Sequence, residues 1–318
     1  MEKTIDPVNR EKLITELKFC RFIKYTSRSN NEIYSFLNTD APSIIVEVGR
    51  LREEALRTVG CGTGDIVDLD DYDMGSDAFR QLIVWNPRTR EIIGGYRYAV
   101  GANYLQQIDR LAMADFFSYS TKFKAEYLPY SIELGRAWIN PAYRSTNPIG
   151  NPISVLNYLW EGIGAIIAEN EEVRYLYGKV TIPENYNPTA RILLTWFLTH
   201  YFKSRTNLLN PRNPVISPRV MAIAGTKITG KNIKTDYKVI SNYIKSLQTG
   251  VPPQISAYLR LAKRITTFGT TTNPNLGNAF ETGILIAIKD IHPEKHSKYI
   301  SAVQNRQLKH ASQQLVTV

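Results

Sequence analysis

One segment near the start of the chain has apolar residues three or four positions apart. These residues are Ile44, Val48, Leu51, Ala55 and Val59. This spacing predicts an amphipathic helix, because such positions share one helix face. Ser43 is expected to cap its start, and the glycine-rich stretch Gly60–Gly64 to end it.

Further along, the pattern alternates between strands and helices. Phe79–Trp85 and Glu91–Val100 are β-rich and flank the turn Asn86–Thr89, which predicts a hairpin. The other predicted strands are Ser131–Ile139, Arg174–Ile182 and a last antiparallel pair, Thr266–Thr270 with Gly283–Ile288. The other predicted helices are Lys12–Phe19, Glu32–Leu37, Ile108–Phe117, Leu156–Glu169, Ala190–Phe202 and Gln254–Ala262. This order predicts an α/β fold with a single mixed β-sheet flanked by helices.

Four parts follow from this pattern. Residues 1–42 are expected to form a helical extension, 43–202 the core, and 203–250 a basic insertion before the last strands. Residues 251–318 are expected to complete the sheet and form a tail. The insertion begins with three prolines, Pro211, Pro214 and Pro218, which favour loops in its first part.

Charge is concentrated in one segment. The 318-residue chain has 39 Lys and Arg against 29 Asp and Glu, a net charge of +10. Between Lys203 and Arg264 there are 12 basic residues and one acid, Asp236. Such a segment favours an acidic partner, and an anionic membrane surface is one candidate. Nucleic acid is disfavoured, since no nucleic-acid motif is present.

The remaining composition excludes several classes of protein. Hydrophobic residues make up 43%, which argues against wholesale disorder, and two cysteines cannot form a disulfide scaffold. The first 20 residues lack an apolar signal-peptide core, and no apolar stretch suits a membrane span. We therefore expect a cytoplasmic protein, soluble or peripheral at the inner membrane.

Common catalytic motifs are absent. The four histidines form no zincin-like pattern, no Gly-x-Ser-x-Gly occurs, and no histidine is followed by Asp five positions later. Gly60-x-Gly62-x-Gly64 follows a predicted helix instead of a strand, which is not a dinucleotide fingerprint. No metal site is expected.

A set of short motifs, most of them charged, occurs in a fixed order along the core. They are Glu47–Ala55, Val59–Gly64, Asp68–Asp73, Ile93–Arg97, Glu133–Arg136 and Asn140–Arg144. In this order they resemble the GNAT-like acyltransferases, in the branch of acyl-homoserine-lactone synthases and hemolysin-family N-acyltransferases of ornithine or glycine lipid synthesis. The resemblance covers about residues 43–202 and extends to 252–288.

The resemblance implies transfer of a 3-hydroxyacyl group from an acyl carrier protein thioester to the amine of an amino acid. Glu133 would accept the amine's proton or hold the amine. Asp70 and Asp73 would bind the ammonium group or order their loop, and Arg97 and Arg136 would bind the acceptor's carboxylate. Arg50 would hold the acidic loop through a carboxylate pair.

The loop after the central strand and the last strands bear on the donor and the acceptor. Coenzyme A-dependent GNAT enzymes carry an Arg/Gln-x-x-Gly-x-Gly/Ala loop, whereas residues 144–152 contain one glycine, Gly150, and two prolines. This favours a carrier-protein donor with no tightly bound cofactor, and Arg144 would suit the phosphopantetheine phosphate. Glycine is favoured over ornithine because the stretches Phe268–Thr270 and Glu281–Ile286 resemble those of the glycine-lipid enzymes. The alternatives are an acetyl-CoA-dependent acetyltransferase and a non-catalytic membrane-active protein.

Overall fold

The computed structural model describes residues 2–144, 152–215, 228–301 and 303. The helices in these ranges are α1 (Arg10–Leu17), α2 (Pro42–Arg57), α3 (Asp71–Met74), α4 (Thr121–Glu126), α5 (Pro152–Glu169), α6 (Pro188–Phe202), α7 (Ile233–Ser246), α8 (Pro253–Leu261) and α9 (Pro293–His296). The strands are β1 (Arg21–Tyr25), β2 (Glu32–Phe36), β3 (Arg80–Asn86), β4 (Glu91–Val100), β5 (Phe117–Tyr119), β6 (Ser131–Ile139), β7 (Tyr175–Ile182), β8 (Leu209–Pro211), β9 (Thr266–Asn273) and β10 (Ala279–Ala287).

A mixed eight-stranded sheet organises the molecule. Its strand order is β1-β2-β3-β4-β6-β7-β10-β9, and β5 pairs separately with β8. Every neighbouring pair in the large sheet is antiparallel except β6 and β7, which are parallel. The predicted α/β fold, the β3–β4 hairpin and the last antiparallel pair are confirmed.

Successive side chains along a strand point to opposite faces of the sheet, and the two apolar faces pack against different helices. On β3, Leu82 and Val84 pack in one cluster with α5 and α6, whereas Ile83 and Trp85 pack in another with α1 and α2. Gly162 of α5 permits the close approach, since a Cβ there would lie 2.9 Å from Leu82. The sheet is therefore covered on both faces, as its buried strands require.

The N-terminal segment differs from the predicted helical extension. α1 forms near its expected place, but Glu32–Phe36 is strand β2, paired with β1 and β3. The helix predicted at Glu32–Leu37 is wrong, because a five-residue apolar-polar pattern fits either structure until a neighbouring strand pairs with it. Residues 21–36 thus extend the sheet by two strands.

Two smaller predictions also need correction. The helix predicted at Ile108–Phe117 is only a short 3-10 turn at Ile108–Arg110, followed by irregular chain. Helix α2 begins at Pro42, so Ser43 is not its cap; the Ser43 amide instead donates to the carboxylate of Glu16 at 2.8 Å. A side chain from α1 thereby satisfies an N-terminal amide of α2.

The described part of the basic segment contains a helix that the sequence analysis did not predict. The lysines of and beside α7 are exposed, whereas the acid, Asp236, is buried and accepts hydrogen bonds from Tyr201 and the Gly230 amide. Pro218 lies outside the described residues. In the described ranges, no helix is both long and apolar enough to span a membrane.

Candidate active site

The parallel strands β6 and β7 separate halfway along their length. Their pairing runs from Ser131 opposite Tyr175 to Leu134 opposite Gly178, although the strands continue to Ile139 and Ile182. Residues of both strands beyond this point line a cavity of about 1450 Å³. The opening gives a ligand access to backbone amides and carbonyls that a continuous sheet would pair.

Local backbone features mark the place where the opening begins. The β4–β6 register shifts between Gly95 and Arg97, and Arg136 of β6 adopts a left-handed φ of 49°. Such a bulge bends its strand and redirects a side chain. On β7, Gly178 lies so close to Leu134 that a Cβ would collide with its carbonyl oxygen.

Glu133 lies at the closed end of the opening. Its carboxylate accepts a hydrogen bond from the Met113 amide at 2.9 Å and one from the Tyr177 hydroxyl at 2.8 Å. The side chain is 2% exposed but lines the cavity. Burial raises the pKa of Glu133 to about 7, against the hydrogen bonds from Tyr177 and Met113 that lower it. A carboxyl group with this pKa can accept and release a proton near neutral pH.

The acidic loop forms a short, capped helix. The Asp70 side chain accepts from the Tyr72 amide at 3.0 Å, and the Asp73 side chain accepts from the Asp70 amide at 3.2 Å. This reciprocal arrangement is a capping box, which satisfies amides that a helix start leaves unpaired. The loop is thereby held in one conformation at the cavity wall.

Arg52 of α2 anchors this loop from behind. Its guanidinium lies 2.9 Å from Asp68 and 2.5 Å from Asp73, and all three side chains are fully buried. Burial alone would raise the pKa of Asp73, but Arg52 and Arg97 outweigh burial and hold that pKa well below its usual range. Asp73 is therefore ionised near neutral pH.

Two further arginines join the loop to the central strands. Arg97 lies 2.5 Å from Asp70 and 3.1 Å from Asp73, while Arg136 lies 3.3 Å from Asp68 and 3.4 Å from Asp70. Together with Arg52, three cations and three carboxylates form one connected network. Asp70 and Arg136 line the cavity and are 30% and 18% exposed.

Comparison with known proteins shows the family of this chain. Residues 51–150 match the family described as acetyltransferase (GNAT) domain. A glycine N(alpha)-acyltransferase of Phocaeicola vulgatus is 36% identical over 307 residues, covering 95% of this chain and 94% of that protein. Another glycine N(alpha)-acyltransferase, from Bacteroides thetaiotaomicron, is 38% identical over 305 residues, covering 94% and 90%. This chain belongs to the GNAT acyltransferase family.

Two solved structures share less with this acyltransferase. A GNAT acetyltransferase from Bacillus anthracis is 10% identical, covering 84% of this chain and 98% of that one, with a TM-score of 0.34. A CoA-dependent acyl-homoserine lactone synthase with SAM and isopentyl-CoA is 11% identical, covering 87% and 89%, with a TM-score of 0.37. Likeness of this degree does not bear on the activity of the acyltransferase.

The structure brings most of the site residues expected from the sequence to the opening. Glu133, Asp70, Arg97 and Arg136 lie together at the opening, with Asp73 buried behind them. Arg144 lines the cavity and donates to the Thr58 hydroxyl and, at 2.9 Å, to the Ala55 carbonyl; burial lowers its pKa. Gly150 lies outside the described residues.

Arg50 does not hold the acidic loop. It pairs with Glu47 at 2.5 Å and Glu54 at 2.8 Å, both on its own helix. Arg52 has the role expected of Arg50. The close approach of Gly49 to the loop, with its carbonyl 3.1 Å from the Asp68 amide, marks the helix face to which Arg52 belongs, three residues on.

Other residues of the site were missed in the sequence analysis. Tyr177 and Lys179 of β7 lie on the same face as Glu133, and Glu281 of β10 lies opposite Thr181. The available signal was a single lysine in the otherwise uncharged strand Tyr175–Ile182. A cation in a central strand needs a partner or a ligand there.

Proposed function

We propose that this acyltransferase joins a 3-hydroxyacyl group, carried as a thioester on acyl carrier protein, to the amine of glycine. The product would be an N-acylglycine for aminolipid synthesis. The observation that carries the proposal is Glu133, a buried carboxyl group whose pKa of about 7 suits proton transfer, placed where two parallel strands part. The names of the two curated relatives support glycine as the acceptor.

In the proposed reaction the amine nitrogen attacks the thioester carbon. The new C–N bond forms, the C–S bond breaks, and Glu133 takes a proton from the amine and returns it to the departing thiolate. Positioned proton transfer of this kind contributes roughly 10²–10⁴-fold to a rate. The Met113 amide and the Tyr177 hydroxyl orient the carboxylate for this task.

We assign the charged network a positioning role, with two members available to the substrate. Asp73 and Arg97 are buried and engaged with each other, so they orient the loop. Asp70 is exposed enough to receive the ammonium group, and Arg136 faces the same cavity. Arg50, bound to its own helix, acts through the stability of α2.

The basic segment supports an acyl carrier protein as the partner that delivers the acyl thioester. Lys234, Lys238 and Lys245 are exposed on α7, and the chain that follows α7, including Leu247 and Pro252, lines the cavity. An acidic carrier protein on α7 would therefore bring its thioester to the opening. Electrostatic docking of this kind weakens as salt rises. Arg144, in the cavity wall, is the cation proposed for the phosphopantetheine phosphate.

The test is a reaction with purified protein, read by mass spectrometry. Glycine and ornithine are offered with 3-hydroxyacyl carrier protein, 3-hydroxyacyl-CoA or acetyl-CoA. We expect N-(3-hydroxyacyl)glycine from the carrier protein, in a Glu133-dependent reaction. Acetylglycine as the only product would favour the acetyltransferase alternative, and no acylated amino acid from any donor would refute the proposal.

A charge-reversed pair of variants tests the docking surface separately. Lys238→Glu with Lys245→Glu should raise KM for acyl carrier protein at least tenfold and leave KM for acyl-CoA unchanged. The matched control is Lys12→Glu with Lys18→Glu, two exposed lysines near α1. An equal rise in KM for acyl carrier protein in both double variants would indicate an effect of overall protein charge and not docking on α7. If the wild type binds anionic vesicles and only the Lys238→Glu/Lys245→Glu variant loses this binding, the α7 face would instead be assigned to a membrane surface.

A further inference from the structure

A second charged cluster lies across the opening from the network already described. The Lys179 ammonium on β7 lies 3.4 Å from the Glu281 carboxylate on β10 and 3.9 Å from the centre of the Phe116 ring. Glu281 is 1% exposed and also accepts from Thr181 and Asn273, at 2.9 Å each. The mechanism above does not use this cluster.

The hydrogen bonds leave Lys179 available to a ligand. Charge-assisted N–H···O bonds are usually 2.7–2.9 Å long, so its 3.4 Å contact with Glu281 is loose. Glu281 keeps two shorter bonds without it. An ammonium group has three donors, and this one lines the cavity. Lys179 can therefore bind an anion without leaving Glu281 unpaired.

The surrounding charges favour an anion at this place. Burial lowers the pKa of Lys179, Glu281 opposes this, and the positive charges of Arg136 and Arg97 lower it further. A carboxylate between Lys179 and Arg136 would relieve that repulsion. The other charged residues of the described cavity wall are mostly acidic and include Asp65, Asp71, Asp77, Asp109 and Asp115, although Arg110 and Arg144 also line it. Beside those aspartates a ligand carboxylate would be repelled.

Lys179 and Glu133 face the same cavity from neighbouring strands. Tyr177 lies opposite Glu133, and Lys179 follows two residues later on the same strand face. The side chains of Lys179 and Glu133 also line the cavity. A small amino acid in the cavity can therefore direct its amine to Glu133 and its carboxylate to Lys179. The Lys179 charge also acts on Glu133, lowering its pKa.

We infer that Lys179, held by Glu281, binds the α-carboxylate of the acceptor amino acid and selects for acceptors that carry one. The inference rests on the proposed function, because it needs an amino acid as acceptor. It adds a specificity determinant on β7 and β10 that the charged motifs of the core do not contain.

The experiment compares glycine with glycinamide, which keeps the amine and lacks the negative carboxylate, in the wild type and in Lys179→Met. We expect KM for glycine to rise roughly 30-fold or more in the variant, as when one partner of a buried charge pair is removed. The kcat/KM for glycinamide should change less than about threefold, and KM for the acyl donor should stay the same.

Lys24→Met is a matched control. Lys24 lies 3.4 Å from buried Glu161, the same separation as Lys179 from Glu281. Unlike Lys179 and Glu281, Lys24 and Glu161 do not line the cavity. Lys24→Met should lower stability by a similar amount and leave kcat/KM for both glycine and glycinamide unchanged. Equal losses with glycine and glycinamide in Lys179→Met, or no loss with glycine, would overturn the inference. A wild type that acylates no amino acid would overturn the proposed function itself.

Discussion

Replacing Glu133 with Gln should have opposite effects on activity and stability. Gln is nearly the same size, and its carbonyl oxygen can keep the hydrogen bond from the Met113 amide. It cannot accept a proton from the amine. We therefore expect kcat to fall about 10²-fold or more, while the folded protein becomes more stable at alkaline pH.

The stability gain follows from the pKa of Glu133. The pKa rises from 4.5 to about 7 on folding, mainly because burial disfavours the charged form. Relative to high pH, protonated Glu133 therefore favours the folded over the unfolded protein. This contribution is fully present below pH 4.5 and is lost as the pH rises through 7. At about 1.4 kcal/mol per pKa unit, the ionised form costs about 3 kcal/mol at pH 8. Gln removes that cost.

The assay is urea denaturation of wild type and Glu133→Gln at pH 5 and pH 8. The variant should be more stable by up to about 3 kcal/mol at pH 8 and by about 1 kcal/mol or less at pH 5. Glu161→Gln is the control: Glu161 is also buried, but it pairs with Lys24 and binds Ser27 away from the cavity. It should lower stability and preserve activity. A destabilised Glu133→Gln at pH 8, or one with wild-type turnover, would refute the reasoning.

Three further predictions follow. Wild-type kcat/KM should fall about tenfold per pH unit below pH 7, because the base must be ionised, and a flat profile would exclude Glu133 as that base. Arg52→Lys should lower kcat/KM at least tenfold, since one ammonium cannot replace a guanidinium that bridges two carboxylates, whereas Arg50→Lys should stay within about twofold. Gly178→Ala should destabilise the fold by about 1–3 kcal/mol in urea denaturation, because its Cβ meets the Leu134 carbonyl; unchanged stability would contradict the tight β6–β7 contact.

The sequence by itself determined most of the secondary structure of the core. Helix α2, the β3–β4 hairpin and strands β6 and β7 have patterns that depend on residues a few positions apart. The charged motifs were also visible, because several lie within single local elements. The strand β2 was missed because five residues do not distinguish a helix from a strand until β1 and β3 pair with them.

Only the tertiary structure decided which charges meet. Arg50 and Arg52 are two positions apart, hence on different helix faces, and glutamates lie within four positions of both; the packing of the acidic loop selects Arg52. The raised pKa of Glu133 and the pairing of Lys179 with Glu281, 102 positions away, likewise come from burial between distant strands. Sequence spacing does not encode these effects, because burial and the distance between charges are set by the assembled sheet.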